Sequence, residues 1–157
     1  MLTMDYQKSA HAVYLCTYHV VIVTKYRKKC ISNEMGDFMK EHCAYLLNRQ
    51  GGSLISAETD SDHMHLLMEL PPSVAPAGMV KILKTQLSKE CHTRFSEHLS
   101  QYLYGDKTPL WSSSYFLATT ESTVMEKVKD YINSQRTDDH KRKYEKTGKY
   151  SKKKSRS

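Results

Sequence analysis

The run from Ala12 to Tyr26 constrains the fold more than any other segment of the chain. It reads AVYLCTYHVVIVTKY, is dense in β-branched and aromatic residues, and contains neither glycine nor proline. Such side chains suit the half-buried surface of a sheet, so the run predicts a β-strand. Three further strands are predicted at residues 53–59, 63–70 and 110–119.

The segments that follow these strands show helical periodicity. Apolar residues that recur at three- and four-residue steps predict three helices: residues 33–49, residues 76–99 and a terminal helix that begins near Thr123 and Glu126. Ser32 or Asn33 is the expected N-cap of the first helix. The pair Gly51-Gly52 is its expected stop, because glycine readily adopts the conformation that ends a helix.

The order of these elements is β-α-β-β-α-β, followed by one more helix. This order predicts an α+β fold of the ferredoxin-like, split βαβ kind, with an antiparallel sheet, helices on one face and an additional C-terminal helix. The chain has 157 residues, which suits a single domain, here residues 1–136. No internal repeat is evident.

Charge separates the body of the chain from its end. Residues 141–157 carry nine Lys or Arg against one Glu, whereas residues 1–140 carry 15 basic and 16 acidic side chains. The basic segment, residues 137–157, is predicted to be a flexible tail that a polyanion can order. Either a solubilising terminus or a phosphate-binding tail fits this composition.

Composition also excludes several classes of protein. No apolar stretch approaches the length of a membrane span, and residues 1–10 are too polar for a signal peptide, so we expect a soluble, intracellular protein that does not engage a membrane. Its four cysteines, which are Cys16, Cys30, Cys43 and Cys91, lack the spacing of a zinc knuckle or a disulfide framework. We expect them to be reduced thiols, mostly buried.

Two histidines flank one apolar residue at the start of the strand predicted at 63–70. Because side chains alternate along a strand, His63 and His65 are expected on one face, with Met64 in the core. Two imidazoles on one face are the beginning of a metal site, and they equally fit two surface histidines on a half-exposed strand. Spacing alone leaves both interpretations open.

A basic cluster follows the first strand, at Lys25, Tyr26, Arg27, Lys28 and Lys29. It fits a solvated turn, and an aromatic ring among cations is also what a surface that binds single-stranded nucleic acid uses. In the terminal helix, Tyr131 and Gln135 are four residues apart and share a face. Packing at the core margin accounts for Tyr131 alone; beside two histidines, its phenol is a candidate nucleophile.

Four motifs together identify a family resemblance. They are Tyr18-His19-Val20-Val21 with Thr24-Lys25-Tyr26-Arg27, Asp62-His63-Met64-His65-Leu66-Leu67, Leu110-Trp111-Ser112 with Ser114-Tyr115-Phe116, and Tyr131-Ile132 followed by Gln135. In order and spacing the chain resembles the single-tyrosine TnpA transposases of the insertion-sequence 200/605 family, which belong to the histidine-hydrophobic-histidine class. The resemblance covers roughly residues 10–136, so it implies that residues 1–136 are the catalytic domain.

The resemblance implies a site and a reaction. His63, His65 and Gln135 would be ligands of a divalent metal, Mg²⁺ or Mn²⁺, and Tyr131 the nucleophile that cleaves and rejoins single-stranded DNA through a 5′-phosphotyrosine. The family also implies recognition of DNA hairpins at the ends of a small insertion sequence, for which residues 25–29 are the candidates. A homodimer with composite active sites, acting in the cytoplasm at the nucleoid, completes the expectation.

Three alternatives remain at this level. A domesticated relative would process palindromic repeats of its host genome by the same chemistry. A non-catalytic nucleic-acid binding module would keep the fold and cut nothing. A zinc-stabilised structural domain would unfold on chelation, although two histidines and a glutamine are a poor zinc set. One departure from the family is the stretch Thr119-Thr120-Glu121-Ser122, where relatives often have a glycine.

Overall fold

The computed structural model describes residues 7–8, 13–104, 108–119 and 128–135. Its strands are β1 Gln7–Lys8, β2 Val13–Tyr14, β3 Thr17–Val23, β4 Ser53–Asp60, β5 His63–Glu69 and β6 Phe116–Thr119. Its helices are α1 Asn33–Arg49, α2 Pro76–Arg94, α3 Ser96–Leu99 and the helical residues 128–135, here called α4. A short 3₁₀ turn covers Lys25–Arg27.

The main sheet has four strands in the order β4-β5-β3-β6, and every neighbouring pair is antiparallel. This confirms the predicted α+β fold, because the two hairpin-linked strands β4 and β5 sit beside β3, while β6 returns to its other side. β1 and β2 form a separate two-stranded ladder that the sequence patterns do not predict.

The two faces of the sheet are covered by different helices. Alternate residues of β3 and β5, such as Val20 and Leu66, join the main core with the buried faces of α1 and α2. The opposite face carries a second, smaller cluster in which Val21 and Val23 pack against Val128 of α4. The helices predicted on one face are therefore α1 and α2, and α4 covers the other.

The first helix has the predicted bounds and caps. The Ser32 hydroxyl accepts a hydrogen bond from the backbone N–H of Met35 at 3.1 Å, which satisfies one of the free donors of the first turn. At the other end Gly51 has φ +84°, a conformation that strongly favours glycine. None of the helices in the described residues is long and apolar enough to cross a membrane.

Three predicted elements differ in extent. The long helix over 76–99 is broken at Phe95, and the shorter α3 that follows buries Leu99 while His98 Nε2 donates to the carbonyl of Cys30 at 2.8 Å. The strand predicted over 12–26 is divided between β2 and β3. The strand predicted over 110–119 forms a regular ladder only at Phe116–Thr119, with one isolated bridge at Trp111.

Cysteine burial agrees with the expectation of free thiols. All four cysteines are unpaired by disulfides, and Cys30, Cys43 and Cys91 are buried. Burial raises the pKa of Cys30 to about 11 and those of Cys43 and Cys91 to about 12. The pair Thr123 and Glu126 and the basic tail lie outside the described residues.

Substitution of Gly52 should destabilise the β4–β5 hairpin. A Cβ on Gly52 would collide with the backbone carbonyl of Glu69 in β5 and press on a methyl group of Leu70. Because a backbone atom cannot move aside cheaply, we expect Gly52→Ala to lower the free energy of unfolding by about 2 kcal/mol in urea titrations.

Gly78 provides the matched control. It lies in α2, and a Cβ there would meet nothing within 4 Å. Gly78→Ala should therefore raise the free energy of unfolding by roughly 0.5–1 kcal/mol, because alanine loses less backbone entropy in a helix. Equal stability of the two variants would contradict the close approach at Gly52.

Candidate active site

His63 and His65 lie on the sheet face opposite the main core. In the β3–β5 ladder His63 pairs with Val23 and His65 with Val21, the two valines that pack under α4. Met64, between the histidines, is 0% exposed on the core side. The alternation therefore places both imidazoles on the face that α4 covers.

Each histidine has a partner for one ring nitrogen. Nδ1 of His63 is 2.9 Å from Oδ1 of Asp62, and because a carboxylate only accepts, this nitrogen donates and Nε2 is the ring nitrogen that faces away from Asp62. Nε2 of His65 is 3.0 Å from Nδ1 of His19, and the two rings stack with centroids 5.2 Å apart. Hydrogen-bonded second partners of this kind orient histidines that bind metals.

The His19–His65 pair is held in its neutral form. Burial lowers the pKa of His65, and the nearby charge of His19 lowers it further. Burial also lowers the pKa of His19. His19 belongs to one of the family motifs, yet its contact with His65 depends on the β3–β5 register, which sequence spacing does not give.

Asp62 connects the histidine strand to the basic turn. It is 3% exposed, and its Oδ2 lies 2.9 Å from Nη2 of Arg27 and 3.5 Å from Nζ of Lys29. Burial by itself raises the pKa of Asp62, but hydrogen bonds from His63 and Arg27, with the charge of Arg27, hold it below its ordinary value near 3.8. The carboxylate thus stays ionised and fixes both neighbours.

The basic turn has a constrained backbone. Tyr26 and Arg27 have φ values of +56° and +53°, in the left-handed region that side chains other than glycine seldom adopt. Thr24 holds the turn in place, because its N–H donates to the carbonyl of Asp62 at 3.0 Å and its hydroxyl donates to that of Lys28 at 2.7 Å. In this conformation the Arg27 side chain contacts Asp62, and Tyr26 is 45% exposed.

The five residues predicted to bind DNA differ in exposure. Arg27 is largely buried in its ion pair with Asp62, whereas Tyr26, Lys28 and Lys29 are exposed, Lys29 at 3.5 Å from the same carboxylate. Lys25 is half-buried, and its Nζ lies 5.3 Å from the centre of the Tyr26 ring. The turn offers an aromatic ring and cations to a ligand, as predicted for a surface that binds nucleic acid.

The helix α4 brings Tyr131 to the same sheet face as the histidines. Val128 packs on Val21 and Val23, and the Tyr131 ring lies 5.7 Å from that of Phe116. Helical spacing puts Val128, Tyr131 and Gln135 on one side of α4, the side that meets the sheet. Tyr131 therefore packs at the margin of this cluster, and it lies on the same sheet face as the histidines.

Tyr131 and Gln135 converge on a pair of serines. The Tyr131 hydroxyl is 3.0 Å from that of Ser114. Gln135 is 5% exposed, and its Oε1 accepts hydrogen bonds from the hydroxyls of Ser114 at 3.0 Å and Ser112 at 3.4 Å. The histidines thus lie on β5, Tyr131 and Gln135 contact the segment on the other side of β3, and β3 separates the two halves.

A basic groove lies next to this segment. It has a volume of about 680 Å³ and runs between α2 and residues 109–113. The described residues that line it include Lys25, Lys84, Lys89 and His92, with no Asp or Glu. These side chains belong to separate elements, so the sequence does not predict that they line one groove. The tertiary structure brings them together.

Comparison with known proteins decides the family. The model of the family described as "Transposase IS200 like" matches residues 12–135, which include every site residue discussed above. The chain belongs to the IS200-like transposase family. Transposase function, and the DNA-cleaving activity that this entails, follow from that membership.

Individual IS200-like transposases resemble the chain over most of its length. The ISDra2 transposase TnpA of Deinococcus radiodurans is 28% identical over 135 residues, covering 86% of this chain and 94% of the relative. The transposase of insertion sequence element IS200 from Salmonella typhimurium is 27% identical over 139 residues, covering 86% of each chain.

Solved structures agree with the fold. The crystal structure of a Deinococcus radiodurans protein assigned as a transposase has a TM-score of 0.74 at 29% identity, covering 82% of this chain and 97% of the other. A REP-associated tyrosine transposase bound to a REP hairpin has a TM-score of 0.50 at 13% identity, covering 91% and 76%. The second likeness concerns the fold alone.

Proposed function

We propose that this IS200-like transposase cleaves and rejoins single-stranded DNA at the ends of a small insertion sequence, with Tyr131 as the nucleophile. The observation that carries the proposal is that α4 holds Tyr131 on the sheet face that also presents His63 and His65. A phenol close to a polar, partly buried cluster suits attack on phosphorus.

The chemistry exchanges one phosphoester for another. The Tyr131 hydroxyl gives up its proton as its oxygen bonds to the scissile phosphorus, the bond from phosphorus to the 3′ oxygen breaks, and that oxygen takes up a proton and leaves as a 3′-OH. The 5′ phosphate remains on Tyr131 until a 3′-OH attacks it and the tyrosine is regenerated. Because each step conserves a phosphoester, no nucleotide cofactor is consumed.

The residues present fit a divalent metal. Nδ1 of His63 bonds to Asp62 and Nε2 of His65 bonds to His19, so the opposite nitrogen of each ring is available as a ligand. The described residues gather no cluster of three or more His, Cys, Asp or Glu, so the set needs a ligand of another type, and Gln135 supplies an amide oxygen. His63, His65 and Gln135 would hold Mg²⁺ or Mn²⁺, which would supply a positive charge to polarise the phosphate and offset its developing charge.

Replacement of the nucleophile gives the direct test. We expect the purified protein, with Mg²⁺ or Mn²⁺ and single-stranded oligonucleotides from the DNA that flanks its gene, to form a covalent adduct on a denaturing gel. Tyr131→Phe should abolish the adduct, because the replaced side chain has no oxygen to attack phosphorus, and His63→Ala with His65→Ala should reduce it by at least about a hundredfold.

A tyrosine far from the site serves as the control for that test. Tyr45 is exposed on α1, remote from the sheet face that α4 covers, so Tyr45→Phe should form the adduct at the wild-type rate. Adduct formation by Tyr131→Phe would rule out this nucleophile, and undiminished binding without any cleavage would favour a nucleic-acid binding module.

The functional unit proposed is a homodimer in which α4 of one subunit serves the histidines of the other. Two features support it. The family resemblance implies composite sites, and in a single chain Gln135 bonds to Ser112 and Ser114 while the histidines lie beyond β3. A helix supplied by a partner would bring Tyr131 and Gln135 to the histidine side.

Complementation between inactive subunits distinguishes shared sites from sites within one chain. Subunits with His63→Ala and His65→Ala are mixed with Tyr131→Phe subunits under conditions that exchange partners. Composite sites restore one intact site per mixed dimer, so about a quarter of wild-type adduct is expected, given that half the dimers are mixed at equal concentrations. Failure to restore adduct in verified mixed dimers would place all four residues in one chain's site.

Hairpin binding is proposed for the basic turn and the groove beside it. Lys25 and Lys89 line the groove, whose described lining holds no carboxylate to oppose a phosphate chain, and Lys28 and Lys29 are exposed on the turn that contains Lys25. Contacts with phosphates position a duplex stem, and the exposed Tyr26 can stack on an unpaired base.

Two lysines on one helix test this surface. Lys89 lines the groove, and Lys81 is exposed on α2 outside it. Lys89→Glu should weaken binding of a hairpin oligonucleotide about tenfold and lower the slope of log Kd against log salt by about one, measured by fluorescence anisotropy. Lys81→Glu makes the same change of charge, so equal weakening by both variants would contradict a specific contribution of the groove.

A further inference from the structure

The hydroxyl of Ser114 contacts two of the proposed site residues. Its oxygen is 3.0 Å from the Tyr131 hydroxyl and 3.0 Å from Oε1 of Gln135. Ser112 also reaches Gln135, at 3.4 Å. Ser114 thus joins the proposed nucleophile to the proposed third metal ligand.

The direction of these hydrogen bonds follows from proton count. The carbonyl oxygen of Gln135 cannot donate, so the single proton of the Ser114 hydroxyl goes to Gln135. The Tyr131 hydroxyl then donates to the Ser114 oxygen. The chain of donors runs from Tyr131 through Ser114 to Gln135.

Ser114 lies in a bulge at the edge of the sheet. Four residues separate Trp111 from Phe116, whereas only two separate their partners on β3, which are Thr24 and Val21. The two extra residues bend this edge away from the regular ladder, as bulges near functional sites do.

Lys84 supports the bulge from the other side. Its ammonium group donates to the carbonyl of Ser112 at 2.8 Å and to that of Ser114 at 3.3 Å, and it lies 5.8 Å from the centre of the Tyr115 ring. The N–H of Ser112 remains bonded to the carbonyl of Val23 at 2.8 Å. The serine hydroxyls are therefore carried by a backbone fixed at both α2 and β3.

We propose that Ser114 is a positioning residue, which fixes the Tyr131 hydroxyl and the Gln135 amide relative to each other through one hydroxyl. The inference rests on the proposed roles of Tyr131 and Gln135. Both lone pairs of the Gln135 oxygen are engaged in the docked arrangement, so metal binding by Gln135 requires at least one serine to release it.

The first experiment reads the contact without relying on catalysis. Protein labelled with 3-fluorotyrosine is observed by fluorine NMR, and the Tyr131 resonance is assigned as the one that Tyr131→Phe removes. Ser114→Ala should shift this resonance, Ser114→Thr should return it toward its original position, and Ser113→Ala, an exposed neighbour in the same bulge, should leave it unchanged. An unshifted resonance in Ser114→Ala overturns the proposal.

The second experiment separates positioning from substrate binding. Ser114→Ala should lower the rate of adduct formation at saturating DNA about tenfold and raise the Mn²⁺ concentration needed for half the maximal rate, with Kd for DNA unchanged, because loss of a single orienting contact misplaces reacting groups. Ser114→Thr should recover most of the rate. Wild-type kinetics in Ser114→Ala overturn the inference and leave the proposed function standing, whereas an adduct in Tyr131→Phe overturns the proposed function itself.

Discussion

Antiparallel pairing of β3 with β5 is the interaction on which the rest of the structure depends. Each strand sends alternate side chains to opposite faces, and seven consecutive pairs keep the two alternations in phase. Val20 and Leu66 therefore enter the core with α1 and α2, while Val21 and His65 face α4. A shift of β5 by one residue relative to β3 would turn His63 and His65 into the core that α1 and α2 cover. The burial of apolar side chains in that core therefore also keeps the histidines on the α4 face.

Once the pairing is fixed, two irregular segments next to it supply the polar groups of the site. The turn after β3 is tied to Asp62, whose carboxylate joins Arg27 to His63. Arg27 and His63 therefore take their orientation from one buried carboxylate. The proposed DNA surface and the proposed metal ligands are thus parts of one hydrogen-bonded unit.

The edge beside β6 is irregular for a comparable reason. A regular ladder would extend through residues 112–115 and turn their side chains alternately up and down. In the bulge the carbonyls of Ser112 and Ser114 accept hydrogen bonds from Lys84, and the hydroxyl of Ser114 bonds to Gln135 of α4. Burial lowers the pKa of Lys84 because it disfavours the charged ammonium. Holding the two serine carbonyls with this group therefore has an energetic cost.

Local sequence determined a large part of this protein. Periodicity fixed α1, with Ser32 as its cap, and strand alternation fixed the shared face of His63 and His65, because both depend on neighbours within one element. Helical spacing likewise put Tyr131 and Gln135 on one side of α4. The tertiary structure alone decided the break at Phe95, the contact of His19 with His65, the burial of Arg27 against Asp62, and the bulge that brings Ser114 to Tyr131. These features join residues far apart in the chain, and their energy comes from register, burial and desolvation that no single segment contains.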